Sequence, residues 1–124
     1  MYTFKTFLTE QAGQLHPNMS KLSLKRLTQP NELARGLMHV EHLPYNEGLL
    51  FEHPQEDRLS FWAKNCRIPI DLAYVNSNGI IGELHSLVPG DESHVVSAKP
   101  YKYAIEVNKG WFDANSISIG TKVL

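Results

Sequence analysis

What the chain has least of already bounds its class. Cys66 is the only cysteine in 124 residues, so an internal disulfide is excluded, and with it the small secreted scaffolds that depend on bridges. No apolar run approaches the roughly 20 residues of a membrane-spanning helix, so no membrane partner is expected. The first residues lack the apolar core and small-residue cleavage site of a secretory signal, which sets the expectation of a cytoplasmic setting. Neither sign of charge dominates. Twelve basic against thirteen acidic side chains give a formal charge of −1, which argues against a nucleic-acid partner held by bulk charge. What remains, 42% hydrophobic and 20% charged, is ordinary globular composition. It suits one domain that buries roughly two-thirds of its unfolded surface without help from a metal or a bridge.

Hydrophobic spacing organises the rest. Phe4, Phe7 and Leu8 fall on one helical face, predicting a short amphipathic helix before Gly13, Pro17 and Asn18 break the pattern. Residues 1–20 therefore read as an accessory helix and linker, and 21–124 as the domain. Alternation over 22–27 predicts a half-buried strand. Thr28 as cap, Pro30 in the first turn and Leu33, Ala34, Leu37 and Met38 on one face predict a helix over 28–39. Strands are expected at 48–52, 59–65, 71–76, 80–87 and 101–108, a long polar connection at 88–100, a helical turn at 110–115 and a short last strand at 117–123. The sequence Ser77-Asn78-Gly79 marks the clearest hairpin, because Asn-Gly supplies the positive φ that tight turns demand. The expected fold is mainly β (α+β), an antiparallel sheet or partly closed small barrel with one or two short helices.

Several polar groups stand in apolar stretches and need partners. Phe61-Trp62-Ala63-Lys64-Asn65 and Ile68-Pro69-Ile70-Asp71 carry a cation, an amide and a carboxylate. Strand alternation would put Trp62 and Lys64 on one surface, Trp62 as a stacking platform, Lys64 as an anion partner and Asn65 as a two-way hydrogen-bonding group. Glu106, among Tyr103, Ala104, Ile105 and Val107, is either paired, with Lys64 or Arg35 as counter-charge, or has a raised pKa. Asp71 and Glu106 are a candidate two-carboxylate pair. Nearby cations would lower the pKa of Cys66 and make it a candidate nucleophile. His39 and His42, with Glu41 between and His53 further on, lack a third ligand of fixed spacing, so no metal and no cofactor are expected. Gly79, Gly82 and Gly90 fit no phosphate-binding fingerprint.

Arg35-Gly36-Leu37-Met38, Leu43-Pro44, Gly48-Leu49-Leu50-Phe51, Phe61-Trp62-Ala63-Lys64-Asn65, Ile68-Pro69-Ile70-Asp71, Asn78-Gly79 and Glu106-Val107-Asn108-Lys109-Gly110-Trp111, taken in order, resemble the DUF 192 family from about Lys21 to the C-terminus. Ala63 stands where the family usually carries Met, and Gly120-Thr121 where it usually has Gly-Asp. The resemblance implies a small β-rich domain with short helices and brings no activity with it. Its polar positions, Arg35, Lys64, Asn65, Asp71, Glu106 and Asn108, coincide with the charges and amides stranded in apolar segments.

Met1 to Glu10 is similar to the capsid-targeting peptides of internal head proteins in contractile-tailed phages, and Leu8-Thr9-Glu10 fits the triplet after which their prohead protease cuts. This resemblance implies a phage head as destination, reached through the cytoplasm of a host cell. Together these readings favour a noncatalytic module binding a small molecule or protein, with Trp62, Lys64, Asn65 and Glu106 as its site and Arg35, Asp71 and Asn108 in support. The alternatives are a small hydrolase using Cys66 or a carboxylate, and a purely structural virion protein.

Overall fold

The computed structural model describes residues 14–124; the expected N-terminal amphipathic helix and Leu8-Thr9-Glu10 lie outside the described residues. In chain order the elements are a 3-10 helix Pro17–Lys21, β1 Ser23–Leu27, α1 Pro30–Arg35, β2 Glu47–Phe61, β3 Ile70–Val75, β4 Ile81–Leu87, β5 Val95–Asn108 and α2 Trp111–Ala114. The strands form one five-stranded sheet in the order β1-β2-β5-β3-β4.

The fold is mainly β with two short helices, as expected, and its sheet is mixed and open, which departs from an all-antiparallel sheet and from a barrel. Strand β1 runs parallel to β2, with Ser23 opposite Glu47 and Leu27 opposite Phe51, while the other pairs are antiparallel. The cause is residues 28–46. A parallel pair needs a long return connection, commonly helical, and the segment containing α1 provides it. The barrel expectation fails for a reason visible in the central strands. Residues 72–75 and 104–107 are buried at every consecutive position, whereas a wall with one solvated face would alternate. Burial on both sides means cover on both sides of an open sheet, with β1 and β4 left as its edges.

Two cores result. Leu49, Phe51, Leu72, Tyr74 and Ala104 pack with Leu37 and Leu59 on one face. Ala73, Val75, Ile105 and Val107 pack with Met19, Trp111 and Phe112 on the other. Register assigns the disputed carboxylates to these faces. Glu106 stands opposite Leu49 on β2 and Leu72 on β3, and so belongs to the α1 side, whereas Asp71 stands opposite Val107 and belongs to the α2 side.

Local differences from the sequence reading have identifiable causes. Helix α1 is shorter than expected, with Gln29 as its N-cap in place of Thr28; Glu32 accepts the Gln29 backbone N–H at 3.3 Å. It ends at Gly36, whose φ of 49° and ψ of −126° no ordinary helical residue shares. The segments 48–52 and 59–65 belong to one long β2 that ends at Phe61, its register shifting between Glu52 and Asp57 and again between Arg58 and Ser60. Part of the expected polar connection, from Val95 onward, is the first half of β5. The expected last strand is a single bridge between Ile80 and Lys122. The hairpin at Asn78-Gly79 forms as read, with Gly79 at φ 79°. Pro17–Lys21, placed in the linker by sequence, carries the buried Met19, and the Asn18 side chain donates to the Asn115 carbonyl at 2.9 Å.

Gly48 lets β2 approach β5 beside Glu106. A Cβ there would lie 2.6 Å from the Glu106 carbonyl oxygen and 3.1 Å from Val107 Cγ1, so backbone has to move. Gly48→Ala is expected to cost about 1–3 kcal/mol in urea unfolding.

Candidate functional site

Glu106 is 4% exposed near the C-terminal end of β5, the central strand of the sheet. Its Oε2 is fully buried and has no hydrogen-bond partner among the described residues. Burial with no compensating charge pushes its pKa up to about 8, so at neutral pH the group is mainly a neutral carboxylic acid. The counter-charges expected from sequence are elsewhere. Lys64 is exposed and pairs with Glu92 at 3.4 Å. Arg35 is exposed at the end of α1.

Glu106 lines a cavity of about 440 Å³ between the α1 segment and the sheet. Phe51, Leu37 and Cys66 are its buried lining with Glu106, while Arg35, Ser60 and His94 are exposed at its rim. Such a volume suits a small molecule. Gly36 positions the helix end over this lining: a Cβ on Gly36 would meet the Phe51 ring at 3.0 Å and lie 3.8 Å from Glu106 Oε1. Phe61 packs edge-on to Phe51, with centroids 4.9 Å apart. The half-buried Trp62 stacks on His94 at 4.7 Å, and Ser60 Oγ lies 2.9 Å from His94 Nδ1. His53 also lines the cavity; its Nδ1 is buried without a partner, and burial pushes its pKa down, so the ring is neutral.

The remaining predicted residues disperse. Trp62 and Lys64 do meet, with Nζ 5.2 Å from the ring centroid. They do so from the loop after β2 rather than by strand alternation. Asn65 is exposed in that loop with φ 62°, and its carbonyl accepts from His39 N at 2.8 Å. Asp71 accepts from Ser86 Oγ at 2.6 Å and Gly110 N at 2.8 Å. Lying on the opposite face, it cannot work with Glu106 as a two-carboxylate pair. Asn108 donates to the carbonyls of Leu43 and Pro44 at 2.9 and 3.1 Å, tying the segment after α1 to β5. Cys66 reverses its expectation: burial, and then the Glu106 charge, push its thiol up and away from thiolate. No group of three His, Cys, Asp or Glu side chains suited to a metal forms among the described residues. Sequence reasoning missed the cavity roles of Ser60, His94 and Gly36. Only the Arg35-Gly36 helix end offered a signal, since glycine commonly stops a helix.

An open mixed sheet with a helix-covered, partly apolar cavity and an unpaired carboxyl in its lining defines a small β-rich domain built around a polar group it does not neutralise. The chain belongs to the DUF 192 family, described as "Uncharacterized ACR", whose model matches residues 13–124. No curated protein matches it. Among solved structures it is similar to a candidate transcription regulator from Sinorhizobium meliloti 1021, at 28% identity and a TM-score of 0.78 over 80% of this chain and 78% of that one. A protein of unknown function from Novosphingobium aromaticivorans DSM 12444 matches at the same identity and TM-score, over 82% of this chain and 73% of its own.

The Glu106 environment predicts an inverted pH dependence. The unfolded chain ionises near the ordinary 4.5, and the folded protein only near 8, so between these values the folded state holds the extra proton. The contribution of this group is fully present below pH 4.5 and is lost as pH rises to about 8, on the order of 5 kcal/mol in all. Urea unfolding across pH 5–8 should show that decline, and Glu106→Gln should flatten it and be at least as stable as the parent at pH 8. For Cys66, iodoacetamide at pH 7.5 should leave the native thiol unmodified while a free thiol reacts, and should alkylate it in urea.

Proposed function

We propose that this domain is a noncatalytic binding module for a small molecule, which occupies the cavity under α1 with Glu106 as its polar anchor and Trp62 at its mouth. The observation that carries the reading is the buried, partnerless Oε2 of Glu106 in the cavity lining. A carboxyl kept there disfavours folding at neutral pH, and an apolar side chain of similar size would not. Groups held against stability in a cleft are characteristic of binding and catalytic sites. An unsatisfied buried polar group also gives a ligand something to pair with.

The hydrolase alternative has less to stand on. Cys66 is buried with its thiol pushed upward, and Asp71 and Glu106 face opposite sides of the sheet. A purely structural virion protein has no use for the unpaired carboxyl. The capsid address concerns delivery rather than chemistry. It rests on Leu8-Thr9-Glu10, and a cut after Glu10 would leave every described element, from Pro17 onward, in place.

The test is a thermal-shift screen of small metabolite-like compounds against the parent and Glu106→Leu. A ligand at 100 times its Kd should add about 2.7 kcal/mol to the parent and far less to the variant. If no compound raises the midpoint, or if the gain survives Glu106→Leu unchanged, the cavity is not the site.

A further inference from the structure

The chemistry of the lining narrows the ligand class. Glu106 Oε2 and His53 Nδ1 are both buried and partnerless, and both line the same cavity. The His53 ring is neutral, so its two nitrogens are one donor and one acceptor. The two open atoms therefore call for polar groups on the ligand, and the carboxylate form of Glu106 accepts only from a donor. The two atoms do not share one ligand group: Glu106 stands opposite Leu49 on β2, four residues from His53, which is about 13 Å along the strand. Between them lies Phe51, with Phe61 edge-on to it. The arrangement is an acidic end, an aromatic middle and a neutral imidazole end.

Resting on the reading of the cavity as a ligand site, we propose that the ligand is a small organic cation. Its ammonium or amidinium head lies against Glu106, and its apolar body runs along Phe51 and Phe61. A second hydrogen-bonding group at the far end would satisfy His53. An anionic or neutral head could pair only with the protonated form of Glu106, whereas a cation supplies the charge against which the buried carboxylate becomes stable. A cation supplies the counter-charge that neither Lys64 nor Arg35 provides. Aromatic faces favour the same sign, and the Lys64 ammonium, 5.2 Å over Trp62, already occupies such a position at the mouth.

The ionisable groups around the head bear on the pH dependence. Facing the cavity are Glu106 from β5, His53 from β2, Cys66 from the β2–β3 loop, Arg35 from the end of α1 and His94 from the loop before β5. His53 is neutral and the Cys66 thiol protonated through neutral pH, while Arg35 and His94 are exposed at the rim, where solvent screens them. Glu106 thus dominates. Because it is mainly protonated before binding, taking up a cation expels its proton.

Three probes with one body separate the possibilities: phenethylamine, phenethyl alcohol and 3-phenylpropionate, titrated calorimetrically into the full chain in phosphate and in Tris. The amine should bind at least tenfold tighter than either relative at pH 7 and release close to one proton. Its Kd should tighten about tenfold per pH unit from 6 to 7.5 and level off beyond 8. In Glu106→Gln the amine preference, the proton release and the pH slope should vanish, while a cooperative urea transition at pH 8 at least as stable as the parent's shows that the variant is folded. Tighter binding of the alcohol or the carboxylate, or amine binding without proton release, overturns the cation and leaves the cavity standing as a site. Failure of all three at millimolar concentration overturns both.

Discussion

The structure turns on one unbalanced desolvation. Strand β5 sits between β2 and β3 with both faces covered, so a charged side chain buried on it loses its hydration. Removing an ionised carboxylate from water costs several kcal/mol even after relaxation. The fold answers by keeping Glu106 protonated rather than by bringing a cation to it. The consequences spread outward: the carboxyl needs space on the α1 side, the helix end must approach it closely, and glycine at position 36 makes that approach possible. Gly48 does the same from β2, where the backbones meet.

The two faces of the sheet divide the labour. The α2 face holds a second core, with Trp111 fully buried and its indole N–H bonded to Asn46 Oδ1 at 2.9 Å. There Asp71 is a structural group that braces the start of α2 through the Gly110 N–H. On the α1 face the same sheet supports a core broken by an open volume. Carboxylates one residue and one strand apart thus have unlike roles, because the strand period of two residues sends them to opposite sides.

Much of this was legible before any coordinates. The hairpin at Asn78-Gly79, the strands around Ala73 and Ile105, and the oddity of Glu106 followed from turn chemistry, apolar runs and a charge out of place. The runs at 72–75 and 104–107 also carried the signal for a sheet buried on both faces, since a one-sided wall would alternate. The parallel β1–β2 pair was hidden because local pattern does not reveal strand direction. The partners of the polar residues were hidden for a related reason. Lys64 and Glu106 carry opposite charges in similar apolar runs but are separated by the end of β2, where Trp62 leaves the strand and takes Lys64 with it toward Glu92. Ser60, His94 and Trp62 meet only because the β4–β5 loop folds back over the end of β2, and no spacing along the chain encodes that.

The walls of the cavity are unequal in strength. The sheet side is fixed by continuous backbone pairing from Gly48 to Glu52 against Val107 to Tyr103. The helix side is α1, six residues with none of them buried, continuing to Leu37 as its one deep contact. A segment this short forms few internal hydrogen bonds and loses little apolar contact on detaching, so its opening free energy lies far below that of the whole domain. Any widening of the cavity around Glu106 therefore falls to one helical turn, and the sheet need not breathe for it.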